Sequence, residues 1–225
     1  MYITSENAIV SVTTIGAAFM LSFLNSAFRS PLKADVQASN KIRPQAEFAS
    51  DFGGFMGFKS ILPNEIVLSP FKVFDKEWAL LSAGTAESFN SMTVSWGGVG
   101  TLWSRAVATV YVRPQRYTRE FIEREDFFTL CFFNGSHMKD LSYIGNTSGK
   151  NKDKIAATDL TPCFNNSSNS PMFEQAELVL VCKKLYFDDI KKENISDSEI
   201  IDKNYPKSDF HRLYIGEVVE AFIKE

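Results

Sequence analysis

The sequence predicts a mainly β domain, a sandwich or barrel with a few short helices. Three observations carry that reading. The chain of 225 residues contains 20 Phe, and aromatic residues favour half-buried pleated strands. Short apolar runs recur at intervals of roughly ten residues, separated by turn-formers or charge, as in sandwiches and barrels. Two longer runs that read as strands close the chain.

Taken in order, residues Asn40 to Phe58 are mixed and glycine-bearing, which suits a linker, and the domain begins near Ile61. Ile66 to Phe74, Trp78 to Ala86, Phe89 to Trp96 and Ala106 to Val112 read as four strands. Pro114 ends the fourth, and Thr118 is placed to cap a helix over Arg119 to Glu125 that carries Phe121 and Ile122. Phe127 to Phe133 is apolar on both alternating faces apart from Thr129, so it should be covered on both sides, by a helix or by a second subunit. Met138 to Ile144 and Asn151 to Ala157 read as short helices around the polar loop Gly145 to Lys150. Asn165 to Ser170 is a Ser/Asn loop. Glu177 to Phe187 and Arg212 to Ile223 are the last strands, and the charged stretch between them, Asp188 to Asp209, reads as a solvated excursion rather than a carboxylate site.

Bulk properties narrow the function. The length suits one core, and 44% hydrophobic with 23% charged residues is an ordinary globular composition. A net charge of −3 provides no general field for nucleic acid, so any anion site must be local. Cys131, Cys163 and Cys182 are odd in number and lack CxxC spacing, so they read as core thiols rather than as disulfides or zinc ligands. His137 and His211 lie too far apart for a local metal motif.

Ala8 to Leu24 is an apolar run of signal-peptide length, short for a membrane span. No Lys or Arg precedes Arg29, whereas Arg29 and Lys33 follow the run. A signal or anchor, an amphipathic extension and a misplaced start codon all stay open. Residues 1–55 are therefore set aside as an N-terminal extension, and 56–225 are taken as the domain.

Two nucleotide motifs fail on spacing. Gly145 to Lys150 has three residues between its glycines where a P-loop needs four, and Asn151 stands where Ser or Thr would hold magnesium. Gly98-Val-Gly100 lacks its third glycine because Trp103 occupies that place. No Gly-x-Ser-x-Gly nucleophile elbow is present.

The segment Asn90 to Trp96 offers more. As a strand it puts Met92, Val94 and Trp96 on one face and Ser91, Thr93 and Ser95 on the other. Three hydroxyls in a strip are suited to hydrogen-bond the edge of a polar ring system, although a solvent-facing strand would look the same. Arg113 at the end of the fourth strand, with Arg116, Tyr117 and Thr118 at the mouth of the next helix, would form an anion site. Those arginines could instead pair with Glu120 or Glu123.

Phe89-Asn-Ser-Met-Thr-Val-Ser-Trp-Gly-Gly98, Val112-Arg-Pro-Gln-Arg-Tyr-Thr118, Ser148-Gly-Lys150 with Asp153-Lys154, Cys182-Lys-Lys-Leu-Tyr186, Asp202-Lys-Asn-Tyr-Pro206 and His211-Arg-Leu-Tyr-Ile-Gly216 stand together in this order. In that combination the chain, from about Gly57 onward, resembles the flavin reductase family in its flavoredoxin-like branch.

The resemblance implies an FMN-binding split β-barrel of Greek-key type, usually a homodimer, that takes hydride from NADH or NADPH. The alternative within the same resemblance is a flavoredoxin-like carrier passing electrons between protein partners. Asn90, Ser91, Met92, Thr93, Ser95 and Trp96 would contact the flavin ring and ribityl chain. Arg113, Tyr117 and Thr118 would contact its phosphate. Ser148, Gly149 and Lys154 would close over the cofactor, and His211 and Tyr214 would either lie near the open face or pack in the core. Lys150 departs from the Arg more usual there, which removes a planar bidentate contact. Use of a soluble nicotinamide favours the cytoplasm, and export or anchoring through residues 8–24 is the alternative.

Overall fold

The chain folds into ten antiparallel strands in a computed structural model that describes residues 57–225. In chain order these are β1 (Phe58–Ile61), β2 (Ala79–Thr85), β3 (Ser88–Val94), β4 (Gly97–Leu102), β5 (Arg105–Val112), β6 (Phe127–Phe132), β7 (Pro162–Phe164), β8 (Pro171–Phe173), β9 (Leu178–Asp189) and β10 (Arg212–Lys224). Four helices accompany them: α1 (Pro70–Asp75), α2 (Thr118–Arg124), α3 (Met138–Asn146) and α4 (Ser198–Asn204). Eight strands form one sheet in the order β3-β2-β6-β9-β10-β5-β4, with β1 on the C-terminal half of β10. The ends of this path, β3 and β4, are consecutive in the chain and joined only by Ser95 and Trp96. The sheet therefore curls until its two ends meet at that link.

One face of the curl is a barrel interior in which Leu81, Met92 and Val94 from one end pack with Ala108, Val110 and Val112 from the other, over Phe128, Leu130 and Phe132. The opposite face of β2, β6 and β9 carries Leu80, Cys131, Phe133, Val179 and Val181 under α3 and the β7–β8 hairpin, with Leu141, Ile144, Met172 and Phe173. This second layer explains the doubly apolar β6: its cover comes from a helix and a hairpin of the same chain. Thr129, its one polar residue, donates to the Pro171 carbonyl of β8 at 2.5 Å.

Local departures from the sequence reading have local causes. Ile66 to Phe74 is not a strand. Pro70 occupies the first helical position behind Ser69, where its missing N–H costs nothing, and α1 follows. Asn151 to Ala157 is a set of turns, because the Asp153 carboxylate accepts from the Ile155 and Ala156 amides at 3.1 Å each and so replaces a helical ladder. Glycines hid β4, whose entry residue Gly97 runs so close to the Phe74 ring and the Thr109 carbonyl that a β-carbon would overlap both. Within the charged excursion, Asp197 caps α4 by accepting from the Glu199 amide at 2.9 Å.

Candidate functional site

The outer face of β3 is covered by α3, and this divides the expected hydroxyl strip. Ser91 is fully buried and shares a hydrogen bond with Ser82 at 2.7 Å. Thr93 donates to the Leu141 carbonyl of α3 at 2.5 Å, and Ser95 is exposed beyond the strand end. On the inner face, Met92 packs in the barrel, while Asn90 donates to Thr118 Oγ1 at 2.7 Å. Thr118 is completely buried, and Tyr117 packs edge-on against Phe121 at 5.2 Å. Ser91 and Thr118 thus hold the scaffold together and are sealed from solvent, while Tyr117 stays half-buried. The sequence left the position of α3 open, and its packing on β3 is what seals Ser91.

Thr93, Ser95 and Trp96 nevertheless meet the arginines. They line one cleft of about 180 Å³ with Met92, Tyr111, Arg113, Arg116 and His211. Tyr111 on β5 and Arg113 just past its end lie two residues apart and so share a face, a signal legible from period two. Ser95, Trp96 and Tyr111 also belong to an adjoining groove of about 860 Å³ that continues past Pro70, Phe71, Phe74, Gly97, Gly98 and Val99. The combined depression therefore has a cationic end and an apolar end. Sequence periodicity could not have indicated Phe71 or Phe74, because α1 was read as a strand.

The cations differ in how they are held. Arg113 pairs with Asp209 at 2.6 Å, donates to the Asn204 carbonyl at 2.9 Å and lies over the Tyr205 ring. Its charge is paired with the returning end of the excursion. Arg116 donates to the Gly145 carbonyl at 2.6 Å, and Lys154 to the Ile144 and Thr147 carbonyls at 3.2 and 3.0 Å. Both cap the C-terminal end of α3, where carbonyl dipoles favour positive charge. Neither has a carboxylate partner among the described residues. Burial, followed by the charge of Arg116, lowers the Lys154 ammonium to about 8. Burial and Arg113 likewise lower Arg116.

His211 is 7% exposed, hydrogen-bonds Tyr205 through Nδ1 at 3.0 Å and faces the Trp96 ring at 4.8 Å. Burial and the Arg113 charge lower it to about 4, so the imidazole is neutral near pH 7. Tyr214 lies elsewhere: it is fully buried in the barrel core and donates to Glu123 at 3.1 Å, which removes it from any open face. Ser148 is exposed, and Gly149 presses on Asn90 so closely that a β-carbon there would overlap the Asn90 side-chain carbonyl.

Cys131 and Cys182 are buried with their thiols pushed far up by burial, and burial and Glu174 push Cys163 up to about 12, so all three stay protonated. No group of His, Cys, Asp and Glu among the described residues could hold a metal. No helix among them is long and apolar enough to cross a membrane, and residues 8–24 lie outside the described region.

A curled antiparallel sheet with a cationic cleft at its open seam can be compared with known proteins. The family model of the flavin reductase like domain matches residues 73–225. The chain belongs to that family. As a flavin reductase-like protein it is similar in fold to the FMN-binding domain of a flavin reductase-like enzyme from Shewanella baltica OS155, with a TM-score of 0.53 and 16% identity over 74% of this chain and 77% of that one. The flavoredoxin of Desulfovibrio vulgaris Miyazaki F compares at 0.52 and 20% over 74% and 77%. The NADH:FAD oxidoreductase of Streptomyces globisporus C-1027, solved with NAD and FAD fragments, compares at 0.50 and 14% over 64% and 73%. No curated protein matches the chain. The fold of this flavin reductase-like chain is accordingly the FMN-binding split barrel.

Proposed function

We propose that this flavin reductase-like domain binds FMN in the cleft at the β3–β4 seam and acts as an oxidoreductase that accepts hydride from NADH or NADPH. One observation carries the reading: Thr93 and Trp96 share a single cleft with Arg113, Arg116 and His211, and Arg116 has no acid to neutralise it among the described residues. The residues fit a phosphorylated aromatic ligand. Arg116, with Lys154 across the end of α3, would hold the phosphate. Thr93 and Ser95 would meet polar edges of the ring, and Trp96, Tyr111 and Phe74 would flank it.

When bound, the flavin supplies the two-electron chemistry. The protein need contribute no base. Neutral His211, held by Tyr205, presents an imidazole that can donate or accept without adding charge, and the exposed Trp96 leaves one side of the cleft open to a second planar ring. Arg116 and Lys154 would keep a reduced, more anionic ligand in place. Rapid loss of the bound-flavin absorbance on mixing with NADH or NADPH in stopped flow is the expected result. A protein that holds FMN but is inert to both nicotinamides would instead be an electron carrier between protein partners.

A further inference from the structure

The charged excursion between β9 and β10 reads as solvated in the sequence, yet its returning end stands behind one wall of the cleft. Tyr205, at the end of α4, is 5% exposed. Phe210 stacks on its ring at 4.5 Å, and the Arg113 guanidinium lies 5.5 Å from its centroid. Arg113 is in turn tied to Asp209 and to the Asn204 carbonyl. The phenol ring is thus held by its neighbours, and its hydroxyl meets His211 Nδ1 at 3.0 Å. The direction of that hydrogen bond decides which proton the cleft meets. Burial raises the Tyr205 phenol, so the hydroxyl keeps its proton near pH 7, where His211 is neutral. Nδ1 is the one hydrogen-bond partner of this hydroxyl among the described residues, and no buried side-chain polar atom among them is left unpaired. Were Nδ1 the donor, the buried O–H would have no acceptor, which disfavours that arrangement by roughly five- to 150-fold.

We propose that Tyr205 is a positioning residue: its hydroxyl donates to Nδ1 of His211, fixes the imidazole proton on Nε2, and so makes His211 a hydrogen-bond donor to the ligand of the cleft it lines. The kind of ligand edge follows. Thr93 has committed its hydroxyl proton to the Leu141 carbonyl and is left as an acceptor, whereas Arg116 and His211 face the cleft as donors. The edge that lies beside His211 and Trp96 must therefore accept, as a carbonyl oxygen or a bare ring nitrogen does. An edge carrying N–H there would set two donors against each other, and such a clash gives specificity without adding charge. That the ligand is FMN rests on the flavin reading, and the protonation pattern of His211 does not.

The chain has two histidines, so selective ¹⁵N labelling of histidine resolves both rings by NMR. His137 is an internal reference, because its Nδ1 faces the Asp140 carboxylate at 3.0 Å and carries a proton there. In the free chain His211 is expected to show the reverse pattern, a protonated Nε2 and a bare Nδ1. Tyr205→Phe should raise the pH at which His211 protonates by about half to one pH unit, since the lost hydrogen bond favoured the neutral ring. Arg113, Arg116, Asp209 and Tyr111 still surround it in that variant. Adding FMN should move the Nε2 resonance, and Tyr205→Phe, folded by circular dichroism, should bind FMN about three- to tenfold more weakly. A protonated Nδ1 on His211 in the free native chain overturns the proposal. So does a His211 titration indifferent to Tyr205→Phe, or an Nε2 signal unmoved by bound FMN. The expected His211 pattern in a chain that does not bind FMN would count against the flavin reading and still support the placing of the proton by Tyr205.

Discussion

Arg113 and Arg116 sit three residues apart, and geometry separates their roles. Arg113 is tied to Asp209 and to Asn204, so removing it releases the end of the excursion, whereas Arg116 faces the cleft without an acid partner among the described residues. Arg116→Ala is expected to weaken FMN binding by about 2 kcal/mol, roughly thirtyfold, the scale of a hydrogen bond to a charged group. Arg113→Ala should cost less. Fluorescence titration of FMN against both variants checks the order, and a larger loss at Arg113 would return the phosphate to it. Lys154 adds a pH dependence. Its ammonium titrates at about 8 in the free protein, and a bound phosphate dianion favours the charged form. Affinity is therefore full below pH 8 and falls above it, by up to about tenfold per unit. Dissociation constants measured at pH 7.5 and 9.5 should diverge in the native chain and stay level in Lys154→Met.

Among the elements, β10 holds the structure together, because it pairs with β9 along one side and with β5 and then β1 along the other. Its register shifts at Ile215/Gly216, where a β-carbon on Gly216 would strike the Phe128 ring and Cys182. Phe128 is fully buried and has no room to swing aside. Gly216→Ala should destabilise the fold by about 2 kcal/mol, an overpacking cost. For a domain of this size that lowers the melting temperature by roughly 4–8 °C in calorimetry. An unchanged transition would mean that the strand relaxes at its bulge. Strands with a sustained apolar or alternating run, β2, β3, β5 and β6, were legible to within a residue or two. Those without it, β4 with its glycines and the three-residue β7 and β8, were not, since so short or so small a run leaves no periodic signal.

Assembly belongs to the whole molecule. Trp103 and Ser104 form a two-residue hairpin between β4 and β5 with both φ values positive, at 53° and 58°, a conformation that costs non-glycine residues on the order of 1–3 kcal/mol each. The hairpin holds Trp103 60% exposed, edge-on to Tyr186, which is itself 42% exposed. We expect a homodimer that covers these rings, with twice the chain mass in light scattering after size exclusion and a shift toward monomer in Trp103→Ser. A monomer at tens of micromolar would refute it.

From the sequence alone came the β class, the long strands, the buried thiols of Cys131 and Cys182, the doubly covered β6 and the pairing of the Asn90–Trp96 segment with the arginine turn. These follow from alternation, residue type and order, which act within a few residues. Tertiary packing alone decided which hydroxyls were sealed beneath α3, that Asp209 would return across the chain to occupy Arg113, and that Tyr214 would face the core. Such outcomes depend on which surfaces meet when the sheet curls, and contacts between residues a hundred positions apart leave no periodic trace in the chain.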